Sequence, residues 1–389
     1  MRKSIMLFAA FAAMLMSSCS QNSENGDGND GEKTSFTVKF DFGEATGKTR
    51  AAQSTAIPAT SWSNIKQVQL FLYDVSNKIA FSEVITPSAA GDYTYTNVPV
   101  GTYTVVAVAN AKSSTDPITT YLDGGTTAEE WTMWNVRQKL ATNMVLKHKT
   151  GTFPSFSPSE LTDANAAYEM PAEIFMGSAT GVSVSTTGLA TAAITLKREV
   201  SLMRVRVDKQ TNTMVDFSQN ASIMLHRIPT SMNIVNGAGA VSGKDDILVA
   251  SGAGTFKTSD PATGYAPTTI LGGTFTLWND LVVFPNATRG EAAGNAAADR
   301  QYFIVISGLG QNGHVLADGT VLTTPKTVYW SGTVKEKFLS NIIREVNLTL
   351  QSGGSTEPPV DPTESGSLQI TVSTPAAWDS NIVASDIIL

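Results

Sequence analysis

SFTVKFDF, residues 35–42, sets Phe36, Val38, Phe40 and Phe42 on one side of an extended chain and Thr37, Lys39 and Asp41 on the other. Successive side chains of a strand point to opposite faces, so a period of two marks a half-buried strand. The same period recurs in QVQLFLYD (67–74), YTVVAVAN (103–110), SLMRVRVD (201–208), SIMLHRI (222–228), FTLWNDLVVF (275–284), QYFIVIS (301–307) and REVNLTL (344–350), each bounded by Gly, Pro, Asn or Asp. Short alternating runs between turn residues predict a mainly β fold of the antiparallel sandwich type. At roughly 100 to 200 residues per domain, the 389 residues predict two domains, placed over 51–195 and 196–351. One short helix is expected. Thr126 and Thr127, each three residues before Glu129 or Glu130, offer a capping box to a segment ending near Leu146. Trp131 and Trp134 lie one turn apart on it and read as a face packed on a sheet, with a sugar-stacking platform as the alternative.

Composition narrows the function. There are 27 basic and 34 acidic side chains, a net charge of -7, with no basic block, which argues against nucleic acid, because neutralising phosphate takes clustered Lys and Arg. Only 16% of residues are charged, below the roughly 25% of an average globular chain. Ser, Thr, Asn and Gly supply the polarity instead, as suits a secreted β-protein. A single cysteine allows no internal disulfide.

The first residues account for that cysteine. Arg2 and Lys3 precede the apolar run Ile5 to Met16, closed by Ser17 and Ser18 before Cys19. This is a secretory signal, too short for a spanning helix of about 20 apolar residues. Met16-Ser17-Ser18-Cys19 resembles a bacterial lipobox, which would make residues 1–18 a cleaved signal and Cys19 the acylated N-terminus. The acidic, Gly-rich stretch Ser20 to Glu32 cannot bury enough apolar surface to fold and reads as a tether. Its spacing fails the EF-hand pattern, and acid-rich tethers of this kind resemble surface-export signals of Bacteroidota lipoproteins.

Both ends of the body carry an alternating strand beside flexible sequence. The second is Leu368, Ile370 and Val372 alternating with Gln369, Thr371 and Ser373, in a tail that runs through Ile387 to Leu389. It follows SGGSTEPPVDPTESG (352–366), read as a linker whose 15 residues could reach roughly 50 Å. An apolar tail without a groove is an aggregation hazard, so a groove is expected for it. After the first strand, Arg50-Ala51 lies among small residues that suit a trypsin-like cut, with Lys48 a competing site. Such a cut would remove the strand at 36–42 together with the lipid. Burying its four apolar side chains is worth about 6 to 12 kcal/mol as an upper figure, so the emptied groove would bind a matching strand. The tail of another copy is one candidate, and a head-to-tail contact that does not close makes a filament.

Taken in order, Cys19, SFTVKFDF, Arg50-Ala51, VPVGTYTVVAVAN (98–110), EIFMGSA with Phe175 to Ala179, and ITLKREVSLMRVRVD (194–208) resemble the fimbrillins, the FimA-like major subunits of the type V pili of Bacteroidales, over essentially the whole chain. The resemblance implies two tandem transthyretin-like β-sandwich domains with exchangeable terminal strands. It implies a lipoprotein precursor of the outer membrane, acylated at Cys19 and cut after Arg50 by an Arg-specific protease. Subunits would then join by donor-strand exchange, Leu368 to Leu389 being the donor, with other copies and accessory pilins as partners and host or bacterial surfaces as adhesion ligands. A tail together with an Arg site points to a shaft subunit. A tip or accessory adhesive pilin, or a monomeric glycan-binding lipoprotein, is the alternative.

No enzyme emerges from the motifs. Gly308, Gly310 and Gly313 form G-x-G-x-x-G after a strand, but the strand-like HVLADGTVLTTPKTVYW follows instead of a helix, so a hairpin turn is expected. GAGAVSGKDD (237–246) misses the P-loop spacing. His148, His226 and His314 are scattered and form no metal or triad pattern. No cofactor and no metal are expected.

Overall fold

The structure is a computed structural model of the chain. It describes residues 31–42, 67–85, 91–110, 120–122, 143–146, 167–171, 173–188, 190–209, 214–235, 237, 247–252, 254–257, 277–359 and 368–377. These residues are mainly β, as the alternating runs predict. In the first half lie β1 (Lys33–Phe42), β2 (Val68–Tyr73), β3 (Ile79–Ile85), β4 (Gly91–Pro99), β5 (Gly101–Ala109), β6 (Thr120–Leu122), β7 (Asn143–Leu146), β8 (Ala167–Tyr168), β9 (Phe175–Val184) and β10 (Ala190–Arg198). In the second lie β11 (Ser201–Asp208), β12 (Val215–Asp216), β13 (Ser222–His226), β14 (Ser231–Asn233), β15 (Ile247–Ser251), β16 (Leu277–Val283), β17 (Tyr302–Gly310), β18 (Lys326–Val334), β19 (Ile342–Leu350), β20 (Leu368–Val372) and β21 (Ala376–Ala377).

In the first half the hydrogen-bonded order is β3-β2-β5-β9-β10-β1-β4. Strand β10 bonds β1 over Ala190 to Leu196 and turns to β9 only at Lys197 and Arg198, so the path bends there into two layers. Phe36, Val38 and Phe40 of β1, Val68, Leu70 and Leu72 of β2, Val105 and Ala107 of β5, and Ile194 and Leu196 of β10 share one core between the layers. Burial explains the pattern of each strand. One face of β10 meets that core and the other meets water, so its residues alternate buried and exposed without a break. Strand β2 is buried at all six positions, because Phe71 and Tyr73 on its second face belong to a further apolar cluster shared with the second half. A strand covered on both faces needs a continuous apolar run.

The second half has one sheet ordered β16-β11-β19-β20, with β21 also on β19, and another ordered β12-β17-β13-β15-β8, with β18 on β17. Leu202 to Val207 face Ile343 to Leu348 in a parallel ladder and Leu277 to Val282 in an antiparallel one. Arg204 and Asp280 stand directly opposite across β11 and β16 and form a buried two-pronged ion pair, with nitrogen to oxygen distances of 2.9 and 3.1 Å.

Three features depart from the sequence reading. The sheets are mixed, with β1–β10, β11–β19 and β15–β8 parallel. Alternation reports which face is buried and carries no strand direction, and parallel partners need a long crossover that local patterns do not record. The expected helix up to Leu146 ends instead in a strand, β7, which pairs antiparallel with β14, while Trp131, Trp134 and His148 lie outside the described residues. Two strands from before residue 195 also join partners from after it, β7 with β14 and β8 with β15. The glycine motif behaves as expected. Gly308 and Gly310 end β17, Gly313 turns at φ 88°, and β18 returns antiparallel.

Candidate strand-exchange sites

Strand β1 is interior. It bonds β10 in parallel, with Phe36 opposite Ala190, Val38 opposite Ala192 and Phe40 opposite Ile194, and it bonds β4 antiparallel on its other side. Phe36 and Val38 are completely buried and Phe40 is 1% exposed. The Phe40 ring lies 5.8 Å from that of Tyr93. On the outer face, Thr37 and Thr94 share a hydroxyl hydrogen bond of 2.9 Å, whereas Lys39 is exposed. Small residues opposite Phe36 and Val38, Ala190 and Ala192, make room for a ring. Burial of three large apolar side chains is worth roughly 5 to 9 kcal/mol as an upper figure, comparable with the stability of a whole domain. Tyr95 of β4 lies in the same core with its ring edge-on to Phe81 at 6.1 Å. Its hydroxyl is buried with no hydrogen-bond partner among the described residues, and burial, then Glu83 and Tyr93, hold the phenol far above its ordinary range.

The tail strand is seated in its own chain. Leu368, Ile370 and Val372 of β20 lie opposite Leu350, Leu348 and Val346 of β19, antiparallel, at the edge of the sheet. The sequence predicts a tail that needs a groove, and the structure gives it one in its own chain. The apolar side chains on one face of β20 match the apolar face of β19, which is reason enough for this pairing. Leu368 is buried in the core of the second half, and Ile370 and Val372 pack against it. Gly332 of β18 makes the seat. A Cβ there would stand 2.6 Å from Ile370 Cδ1 and 3.3 Å from Leu368 Cβ.

The start of the presumed linker is pinned before β20 is reached. Trp330 Nε1 donates to the Ser352 carbonyl at 2.9 Å, His314 Nε2 meets the Gly353 carbonyl at 2.7 Å, Ala317 N donates to Gly354 at 2.9 Å, and Tyr329 and Ser355 exchange backbone bonds. Gly353 is required: a Cβ would fall 1.8 Å from the Val315 carbonyl oxygen. Gly354 holds φ 74°, in the left-handed region that glycine adopts without strain.

Between β10 and β11 only Glu199 and Val200 intervene, and two ion pairs fix this joint, one buried and one in which a buried Glu199 meets an exposed Arg289. Arg198 bonds Glu173 by Nε (2.7 Å) and Nη2, donates to Asn341 Oδ1 at 2.9 Å, and stacks over Phe175. Glu199 accepts from Ser340 at 2.9 Å and pairs with Arg289 at 2.7 Å. Burial pushes the Glu199 carboxyl above its ordinary value, against the pull of Arg289 and Ser340.

Of the residues singled out in the sequence, Cys19, Arg50, Ala51, Ile387 and Leu389 lie outside the described residues, and Phe42 is described only as the last residue of β1. Phe36, Val38 and Phe40 come together in one seat, and Leu368, Ile370 and Val372 in another. The sequence reading did not single out Gly332, Gly353, Thr37 or the Arg198–Glu173 pair. The adjacent glycines 353 and 354 were the available signal for the pin, and they read equally well as a linker.

Fold and sites define a mainly β protein in which strands near both chain ends complete sheets of the body. A family model described as fimbrillin-A associated anchor proteins Mfa1 and Mfa2 matches residues 24–274. The match spans well over half of the chain, and the chain belongs to that family of fimbrial proteins. No curated protein matches the sequence. Among solved structures, a candidate cell adhesion protein from Bacteroides eggerthii is 15% identical, covering 91% of this chain and 98% of its own, at a TM-score of 0.46. The fimbrial anchor protein Mfa2 from Porphyromonas gingivalis is 11% identical, covering 87% and 97%, at 0.41. A candidate polysaccharide-binding protein from Bacteroides thetaiotaomicron is 14% identical, covering 83% and 93%, also at 0.41.

Proposed function

We propose that the protein is a surface fimbrial subunit that joins its neighbours by exchange of strands. It is made as a lipoprotein acylated at Cys19 and carried to the outer membrane. Strand β1 is the replaceable strand and Leu368 to Leu389 the strand donated to a neighbour. A cut after Arg50 by an Arg-specific protease frees β1 and opens its seat, and the shaft grows as seats are refilled. The body is a pair of transthyretin-like sandwiches, and its role is structural, supporting adhesion to host or bacterial surfaces. The observation that carries this reading is the position of β1: an interior strand, hydrogen-bonded on both sides and buried on one face, near the end of the chain. Its removal leaves two sheet edges and an apolar slot that only another strand fills.

Family membership favours a second reading, in which β1 stays in place and the protein anchors a fimbrium at the lipid end. N-terminal sequencing of cell-surface material separates the two. A start at Ala51 supports the shaft role, and a start at acylated Cys19 in all mature protein supports the anchor. Deletion of 368–389 tests the donated strand. If polymer ladders persist in the deletion strain, the tail is not the link.

A further inference from the structure

Among the described residues six large apolar side chains are exposed, and five of them gather at two places. The first is the hairpin between β17 and β18. Val315 and Val321, 52% and 53% exposed, face each other across it, while their neighbours Leu316 and Leu322 turn into the core below. Exposed Met214 extends this patch at the root of the hairpin: its carbonyl accepts from Gln311 N at 2.8 Å, and its Cε lies 3.4 Å from where a Gly313 Cβ would stand. The second place is the end of the first half at which β1 begins. Val100, also exposed, sits in the turn between β4 and β5, its N donating to the Glu32 carbonyl at 2.8 Å. Val75, 87% exposed, lies in the turn after β2, whose last residue Tyr73 stands opposite Thr104 near the same end of β5.

The hairpin is also where the tail is rooted. Residues 352–355 bond it through His314 and Ala317, and Gly353 abuts the Val315 carbonyl. Only the twelve residues 356–367 separate this pin from Leu368, a reach of about 40 Å at most. A tail that takes over the ladders of β1 in the sense in which β1 runs places Leu368 at the Phe36 end of the seat. That end carries Val75 and Val100. Patches of two or three side chains fall far below the roughly 1,000 Å² that a freestanding interface needs. A partner held on a short linker needs much less, because the tether supplies a millimolar effective concentration. The neighbour that has taken the tail is held in this way, within reach of the hairpin.

We propose that the patch of Met214, Val315 and Val321 docks on the Val75 and Val100 end of the neighbouring copy that holds the tail. This rests on the strand-exchange reading above and adds a second point of contact to it. A strand on a linker is a hinge. A second contact beside the root of that linker fixes the angle between the two copies, and it removes from water the apolar side chains that each copy exposes alone.

The test exploits the single cysteine. Cys19 precedes Arg50, so protein cut after Arg50 by an arginine-specific protease carries no thiol of its own. Chains with Val75→Cys plus Val321→Cys, or Val100→Cys plus Val321→Cys, are cut, left to polymerise, treated with a short bis-maleimide and boiled in detergent. The expected result is a covalent ladder from at least one of the two pairs, with nothing beyond a dimer from chains carrying a single new cysteine. In parallel, Val315→Thr plus Val321→Thr keeps the branched shape of both side chains and removes their apolar tips. This variant is expected to melt with the parent and to lengthen polymers at least about fivefold more slowly. Polymers that give no covalent ladder from either cysteine pair, or that grow at the parent's rate in the threonine variant, overturn the docking contact and leave strand exchange standing. If the cut parent forms no polymer at all, strand exchange fails and the docking contact fails with it.

Discussion

Gly332 and Ile370 interlock: the hydrogen of the glycine faces the Ile370 side chain where a Cβ would stand 2.6 Å from its Cδ1. The clash that an alanine brings falls on the far end of a flexible side chain. Gly332→Ala is therefore expected to be tolerated within about 1 kcal/mol. Gly332→Val, branched against both Ile370 and Leu368, is expected to unseat β20 alone. Hydrogen exchange at the β19–β20 ladder reads the difference: amides of 368–372 exchange at least about tenfold faster in the valine variant, with β1 and β10 unchanged.

Gly353 meets backbone, not a movable side chain, at the Val315 carbonyl. Gly353→Ala therefore has no rotamer that relieves it, and the pin must shift as a whole. The expected loss is about 2 kcal/mol or more in chemical denaturation. His314→Ala removes the bond to the same carbonyl and is expected to cost less, about 1 to 2 kcal/mol. Equal stability of Gly353→Ala and the parent would show that residues 352–355 do not bind the hairpin in solution.

Tyr95 buries a hydroxyl that finds no hydrogen-bond partner among the described residues. An unsatisfied buried polar group is costly, so Tyr95→Phe is expected to raise stability by roughly 1 kcal/mol, with the ring packing against Phe81 retained. A thermal melt of the variant beside the parent checks it, and a lowered melting temperature would contradict it.

Glu199 binds its proton more tightly in the folded chain than in the unfolded one, since burial raises its pKa. The native state then holds more protons through the window from the ordinary glutamate value up to the raised one. Stability contributed by this group therefore rises as pH falls through that window and is lost as pH climbs out of it. Glu199→Gln keeps a group able to bond Ser340 and removes the titration. Denaturation midpoints measured from pH 4 to 7 are expected to show a shallower pH dependence in the variant, with the gap between variant and parent widest at pH 7. Parallel pH profiles would rule the effect out.

Strand existence was legible wherever one face meets water, as in SFTVKFDF and in ITLKR of β10, because the period of two is written by solvent on one side and core on the other. It was equally legible in β2, whose continuous burial follows from covering on both faces. Pairing direction was not legible: Phe36 meets Ala190 through a contact more than 150 residues long, and nothing local to either strand records whether the partner runs up or down. Asn143 to Leu146 mislead in the same way. The capping signals upstream in sequence carry no trace of β14, with which these four residues pair as a strand. At the sites, the apolar triplets 36-38-40 and 368-370-372 could be read directly. The features that make them seats could not, since Gly332, Ala190 and Ala192 matter for the volume they leave empty, which a sequence does not display.

The antiparallel seat of β20 also has a mechanical meaning. The chain enters the ladder at the Leu350 end and stays on β19 beyond Val372, with Ser373 N bonded to the Glu345 carbonyl and Ala376 and Ala377 opposite Ile343 and Ile342. A pull on the C-terminus directed onward along the strand axis loads the rungs between Ile342 and Leu350 together, in shear. The same pull folded back over β20 opens them one at a time from Ala377. A fibre held through such a tail would resist tension along its length far better than a sideways peel, so its strength would depend on the angle of the load as much as on the number of bonds.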